Sequence, residues 1–154
     1  MRFRGLPAAG CVLLCGIALL GSACSDTARL AHTCSATDRQ FIDTAQMTMT
    51  GLGLMSDQFQ QGMGSPKDVA SAASLAARNV KATDPSDYSL RKIQTLMGAM
   101  FTEYARAMNA EAKHKNNAAS HIQRSYGLAN FAHDVLVQAE PGLKARGCDV
   151  SPLL

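Results

Sequence analysis

The chain has 154 residues, 15 of them Lys or Arg and 12 Asp or Glu, with eight methionines, five phenylalanines, three tyrosines and no tryptophan. Arg2 and Arg4 stand in the first few residues, so from Cys24 onward 13 basic residues face 12 acidic ones. That near-neutral balance gives no electrostatic case for a nucleic-acid partner and only a weak one for an anionic lipid surface. About 130 residues rich in Ala and Met and poor in aromatics are enough for one core, and they favour closely packed helices over a β-sandwich.

The chain opens with the basic segment Met1-Arg2-Phe3-Arg4, followed by an apolar stretch from about Ala8 to Leu20 that closes on Gly21-Ser22-Ala23. This is the layout of a secretory signal peptide over residues 1–23. An apolar run of about 13 residues is too short for a hydrocarbon core that needs roughly 20 helical residues.

The segment Leu19-Leu20-Gly21-Ser22-Ala23-Cys24-Ser25 resembles the lipobox of bacterial lipoproteins, over these N-terminal 25 or so residues. The resemblance implies cleavage before Cys24, a diacylglyceryl thioether on its sulfur and a palmitate-type acyl chain on the new amino terminus. It also implies attachment to the extracytoplasmic face of the cell membrane, since two or more chains anchor stably where one is marginal. Gly21 and Ala23 also suit the ordinary signal peptidase, which leaves a secreted protein as the alternative.

Cysteine counting bears on that choice. Cys11 and Cys15 leave with the signal peptide, and Cys24, Cys34 and Cys148 remain. Three thiols in an oxidising compartment leave one over. With lipid on Cys24, Cys34 and Cys148 form one even pair.

Residues 24–33 read as a polar tether, and residues 34–154 as the folded domain. In the domain, Thr37 with Gln40 forms a capping-box pattern, and Phe41, Ala45, Met49, Leu52, Met55 and Phe59 recur at helical steps behind it. Gly51 and Gly53 weaken this helix and are expected to admit a close neighbour. Gln60-Gln61-Gly62-Met63-Gly64 ends it.

Ser65-Pro66-Lys67-Asp68 starts a second helix, with a cap, a first-turn proline and an acid near the positive end of the dipole. Val69, Ala72, Ala73, Ala76 and Val80 give it a narrow apolar seam. The same device at Asp84-Pro85-Ser86-Asp87 starts a third, whose stripe is Leu90, Ile93, Met97, Met100, Tyr104 and Met108. Asn116-Asn117 is the expected break before a fourth helix carrying Ile122, Ala129, Ala132 and Leu136 and ending near Pro141-Gly142; one long bent helix is the alternative there.

Four segments with short connections predict an all-α, up-down-up-down four-helix bundle. In that arrangement Cys34, before the first helix, and Cys148, after the fourth, share one end and can form a disulfide that closes the bundle beside the tether. A three-helix arrangement would tend to separate them.

Few motifs carry chemistry. Glu111 and His114 make a single Glu-x-x-His step, half of a di-iron pattern, but the mature chain holds only Glu103, Glu111 and Glu140 as glutamates, too few for four bridging carboxylates. The histidines His114, His121 and His133 and the thioethers of Met47, Met49, Met97, Met100 and Met108 suit a soft ion such as Cu(I), although methionine at helical spacing ordinarily fills a core. A nucleophile elbow, a zinc helix, a phosphate loop, a Cys-x-x-Cys pair and a haem-attachment motif do not occur. Gly62-Met63-Gly64-Ser65, with no strand before it, reads as a turn.

The expectation is a non-enzymatic binding or structural protein of the cell envelope, held to the membrane by its lipid, with no cofactor and with an envelope protein as the partner. The alternative is a carrier of a small apolar ligand or of a metal, of Cu(I) or haem type.

Overall fold

The computed structural model describes residues 33–154. The expected signal peptide, Cys24 and the tether up to residue 32 lie outside the described residues. Among those described there is no strand, and no helix is long and apolar enough to cross a membrane.

Four helices follow in order: α1 (Ala36–Gln60), α2 (Pro66–Ala82), α3 (Tyr88–Glu111) and α4 (Ala118–Ala145), then a 3-10 turn over Ser151–Leu153. They form a helical bundle in which α3 packs along both α2 and α4. Helix α1 leans mainly on α2 and meets α3 and the C-terminal turn more sparingly. Phe41, Leu90, Ile93, Phe101 and Leu143 are fully buried, each worth roughly 1.5–3 kcal/mol against an exposed position. The break at Asn116-Asn117 is real, which excludes the single long helix.

Helix starts follow local chemistry. Ser65 accepts from the Asp68 N–H, Asp68 accepts from the Ser65 N–H, and Pro66 sits in the first turn, as the sequence led one to expect. The cap of α1 lies two residues earlier than Thr37. Ser35 Oγ accepts from the Asp38 N–H at 3.0 Å, and the Asp38 carboxylate takes the return bond from the Ser35 N–H. An aspartate here fills the place usually given to Glu or Gln. Likewise α3 is capped by Asp87, which accepts from the N–H groups of Ser89 and Leu90, while Pro85 is buried in the preceding loop.

Three helix ends share one device. After α1 the Gly62 N–H donates to Phe59 O and the Met63 N–H to Gln58 O; after α4 the Gly147 N–H donates to Lys144 O and the Cys148 N–H to Leu143 O. Each is a Schellman pair around a left-handed residue, with φ of 74° at Gly62 and 79° at Gly147. After α3 the same pair, His114 to Glu111 O and Lys115 to Ala110 O, is built around His114 at φ 51°. The Glu111-x-x-His114 step is therefore a backbone turn.

Two further expectations need correcting. Helix α4 runs through Pro141 to Ala145, because Leu143 is fully buried and the stop signal is Gly147. Gly51 and Gly53 admit no neighbour, since a Cβ built on either would touch nothing within 4 Å. The close approach is at Gly98, where a Cβ would lie 2.8 Å from Lys81 Cε and 3.0 Å from its Cγ, so the lysine stem lies flat across α3.

Candidate functional site

Three places gather chemically active side chains. The first is the end of the bundle where Cys34 and Cys148 are disulfide-bonded, with Cα atoms 5.0 Å apart and 114 positions of sequence between them. The Cys34 N–H donates to Arg146 O at 2.6 Å, and Arg39 donates to Cys34 O at 2.9 Å. Beside them Asp38, only 5% exposed, accepts from Ser86 Oγ at 2.9 Å and from the Asp87 N–H at 3.0 Å. Asp87 in turn pairs with Arg146 at 2.6 Å.

Burial pushes the Asp38 carboxyl up, but the bonds from Asp87, Ser35 and Ser86 together outweigh it and leave it below the ordinary aspartate value. Cys34, Asp38 and Cys148 are also the one trio of Cys, His, Asp or Glu among the described residues whose ligand atoms lie close enough for a metal. Their sulfurs are bonded to each other and offer no thiolate. This end is a fastening.

The second place is a groove of about 650 Å³ between α3 and α4, with Ala99, Leu128 and Phe131 along it and Lys81, Arg106 and Arg124 around it. Phe131 is 50% exposed, and Lys92 Nζ stands 5.1 Å from its ring centre. A second hollow, bordered by Arg78, shares Lys81, Thr102 and Arg106 with the groove. Five cations thus frame an apolar strip whose bordering acid is Glu103.

Glu103 is the hub of that groove. It receives His121 Nδ1 at 2.7 Å, Arg124 Nε at 3.2 Å and a close contact from Arg106. The His121 hydrogen bond is the largest influence and, with the two arginines, holds the Glu103 carboxyl below its ordinary range against the opposing effect of burial. His121 Nδ1 also lies 2.8 Å from an Arg124 nitrogen, but a nitrogen that donates to a carboxylate cannot accept from a guanidinium. Its Nε2 is 3.4 Å from Asn117 Nδ2. With both ring nitrogens engaged, His121 clips the start of α4 onto α3.

The third place is a small cavity of about 90 Å³ among α1, α3, α4 and the C-terminal turn. Three of the five methionines singled out in the sequence, Met49, Met97 and Met100, line it together with His133, and Leu153 borders it from the C-terminal turn. Met97 is 4% exposed, and the other two methionines are half-buried. The remaining candidates go elsewhere. Met47 is 67% exposed, and Met108 is buried away from the cavity. His114 ends α3, and His121 belongs to Glu103.

Sequence reading did not single out the basic groove. Its partners lie on different helices, and the one local signal was the three-residue step repeated at Glu103–Arg106 and His121–Arg124. The chain matches no family model, no curated protein and no solved structure.

Proposed function

We propose that the protein is exported, held at the extracytoplasmic face of the cell membrane by lipid on Cys24, and acts there as a non-enzymatic binding protein of the envelope. The observation that carries this reading is the Cys34–Cys148 disulfide. It supports an oxidising compartment, and it uses two of the three cysteines that follow the signal peptide. Cys24 is then the one left for the thioether.

The helices follow an up-down-up-down order in this reading. Ser35 and Ser86 meet at the starts of α1 and α3, and Ser56 and Tyr104 meet farther along both. The bond between the entrance to α1 and the exit from α4 agrees with that order.

The binding face is the α3–α4 groove. Its apolar strip and surplus of cations complement a protein segment that presents an apolar side chain beside an acidic one. Charge complementarity of this kind sets specificity and encounter rate more than total affinity.

A photo-crosslinking amino acid placed at Leu128, with a control at Leu75 on the α1–α2 side, tests the assignment in cells. The expected result is a discrete adduct from position 128 only, lost when Arg106→Glu and Arg124→Glu are combined. An adduct indifferent to charge reversal, or none from position 128, contradicts it. A second reading, a soft-metal carrier, is favoured by one observation, the thioether-lined cavity.

A further inference from the structure

We propose that Met49, Met97, Met100 and His133 form a binding site for a monovalent soft cation, Cu(I), in the cavity among α1, α3 and α4. The site deepens the soft-metal reading above and rests on it, while being independent of the groove and the anchor.

Size decides first. A cavity of about 90 Å³ is smaller than the roughly 150 Å³ engineered void that accepts benzene. It is therefore too small for haem or an acyl chain, and it suits an ion held directly by side chains. The chemistry of its lining decides second. Three thioethers and one imidazole are soft or borderline donors that select Cu(I), whereas Mg²⁺ and Ca²⁺ require oxygen ligands. The rest of the lining is Ile93, Leu136, Leu153 and the alanines 129 and 132, so no carboxylate competes for a hard ion.

Ordinary core methionine fills space, yet here three methionines border one cavity left open. Access is also built in. His133 is on the exposed side of α4 with its side chain 55% exposed, and Asp134 Oδ1 lies 4.0 Å from its Nδ1. In the proposed site the imidazole of His133 supplies the nitrogen ligand. The imidazole is the entry ligand, and Met97 is the most buried of the three methionines.

The test is an anaerobic titration of the purified, disulfide-intact domain with Cu(I) presented as its bicinchoninate complex. Alkylation and intact mass confirm the Cys34–Cys148 bond before and after. The protein is expected to withdraw one Cu(I) per chain. Met97→Leu with Met100→Leu, a volume-conserving pair, should weaken binding at least a hundredfold, and His133→Ala about tenfold. Met47→Leu, at an exposed position, should change nothing. X-ray absorption should show sulfur and nitrogen neighbours in the wild type and loss of sulfur in the double variant. Circular dichroism checks that each variant remains helical; if the double variant unfolds, Met100→Leu alone carries the test. Failure to withdraw copper, equal affinity in the methionine variants, or binding that appears only after the disulfide is reduced would each overturn the proposal.

Discussion

The two ends of the bundle are built on different principles. At one end a covalent bond, a buried carboxylate and the Asp87–Arg146 pair tie the entrance to α1, the entrance to α3 and the exit from α4 into one knot. At the other, α3 stops on a histidine in left-handed conformation, and α4 starts at Asn117 without a side-chain cap bond. The Glu103–His121 clip is the polar tie nearby. Fraying and local opening belong at the α3–α4 junction of this second end, because no side chain caps the start of α4.

The largest expected effect comes from cutting the knot. Replacing both Cys34 and Cys148 by Ser removes a 114-residue cross-link, worth about 5 kcal/mol in the chain-entropy model. Urea denaturation should show a midpoint well below that of the wild type. Native-state hydrogen exchange should show the starts of α1 and α3 losing protection together.

Asp38→Ala comes next, at about 2–3 kcal/mol, because it strips a charged acceptor from the Asp87 N–H and Ser86. Its pH dependence has a definite sign. The folded pKa lies below the ordinary value of 3.8, so the stabilisation is complete above that value and is lost as pH falls through the folded pKa. Wild type and Asp38→Ala should therefore converge in stability in strong acid and diverge as pH rises toward 3.8, with a constant gap above it.

Asp87→Ala should cost about 1–2 kcal/mol, since it removes the α3 cap and the partner of Arg146 together. The opposite end offers the reverse test. His114→Gly should raise stability by about 1 kcal/mol, because glycine takes the positive φ without the Cβ penalty. A neutral or destabilising result in a thermal melt would mean that the His114 side chain has a role beyond this turn.

The contrast between the ends also separates what the sequence disclosed from what it hid. Ser65-Pro66-Lys67-Asp68 was legible because cap, proline and acid are neighbours, and the turns at Gly62 and Asn116-Asn117 were legible for the same reason. The stripes of α1 and α3 were readable too, and Phe41, Leu52, Leu90, Ile93 and Met97 are buried as their spacing required. The α1 cap was misplaced because Asp38 does its work toward Ser86 and Asp87 in the loop before α3 as well as toward Ser35. Pro141 stops a helix by local rules, yet here the buried Leu143 keeps the chain helical past it.

The candidate sites divide in the same way. Methionine spacing named the thioethers, but which three share a cavity depends on how α1, α3 and α4 are laid together. The Cys34–Cys148 bond was reachable by counting, since only one even pair survives once Cys24 is set aside. The Glu103–His121 clip joins residues 18 apart across a helix break, beyond the reach of any helical period.

The intact mass of the mature protein extracted from membranes, measured without reductant, tests the central claim most directly. The account predicts a chain beginning at Cys24 whose mass exceeds that of the polypeptide by a diacylglyceryl group, with or without a further acyl chain, and falls short by two hydrogens for the Cys34–Cys148 bond. A mass equal to an unmodified polypeptide carrying a free thiol at residue 24 would contradict it.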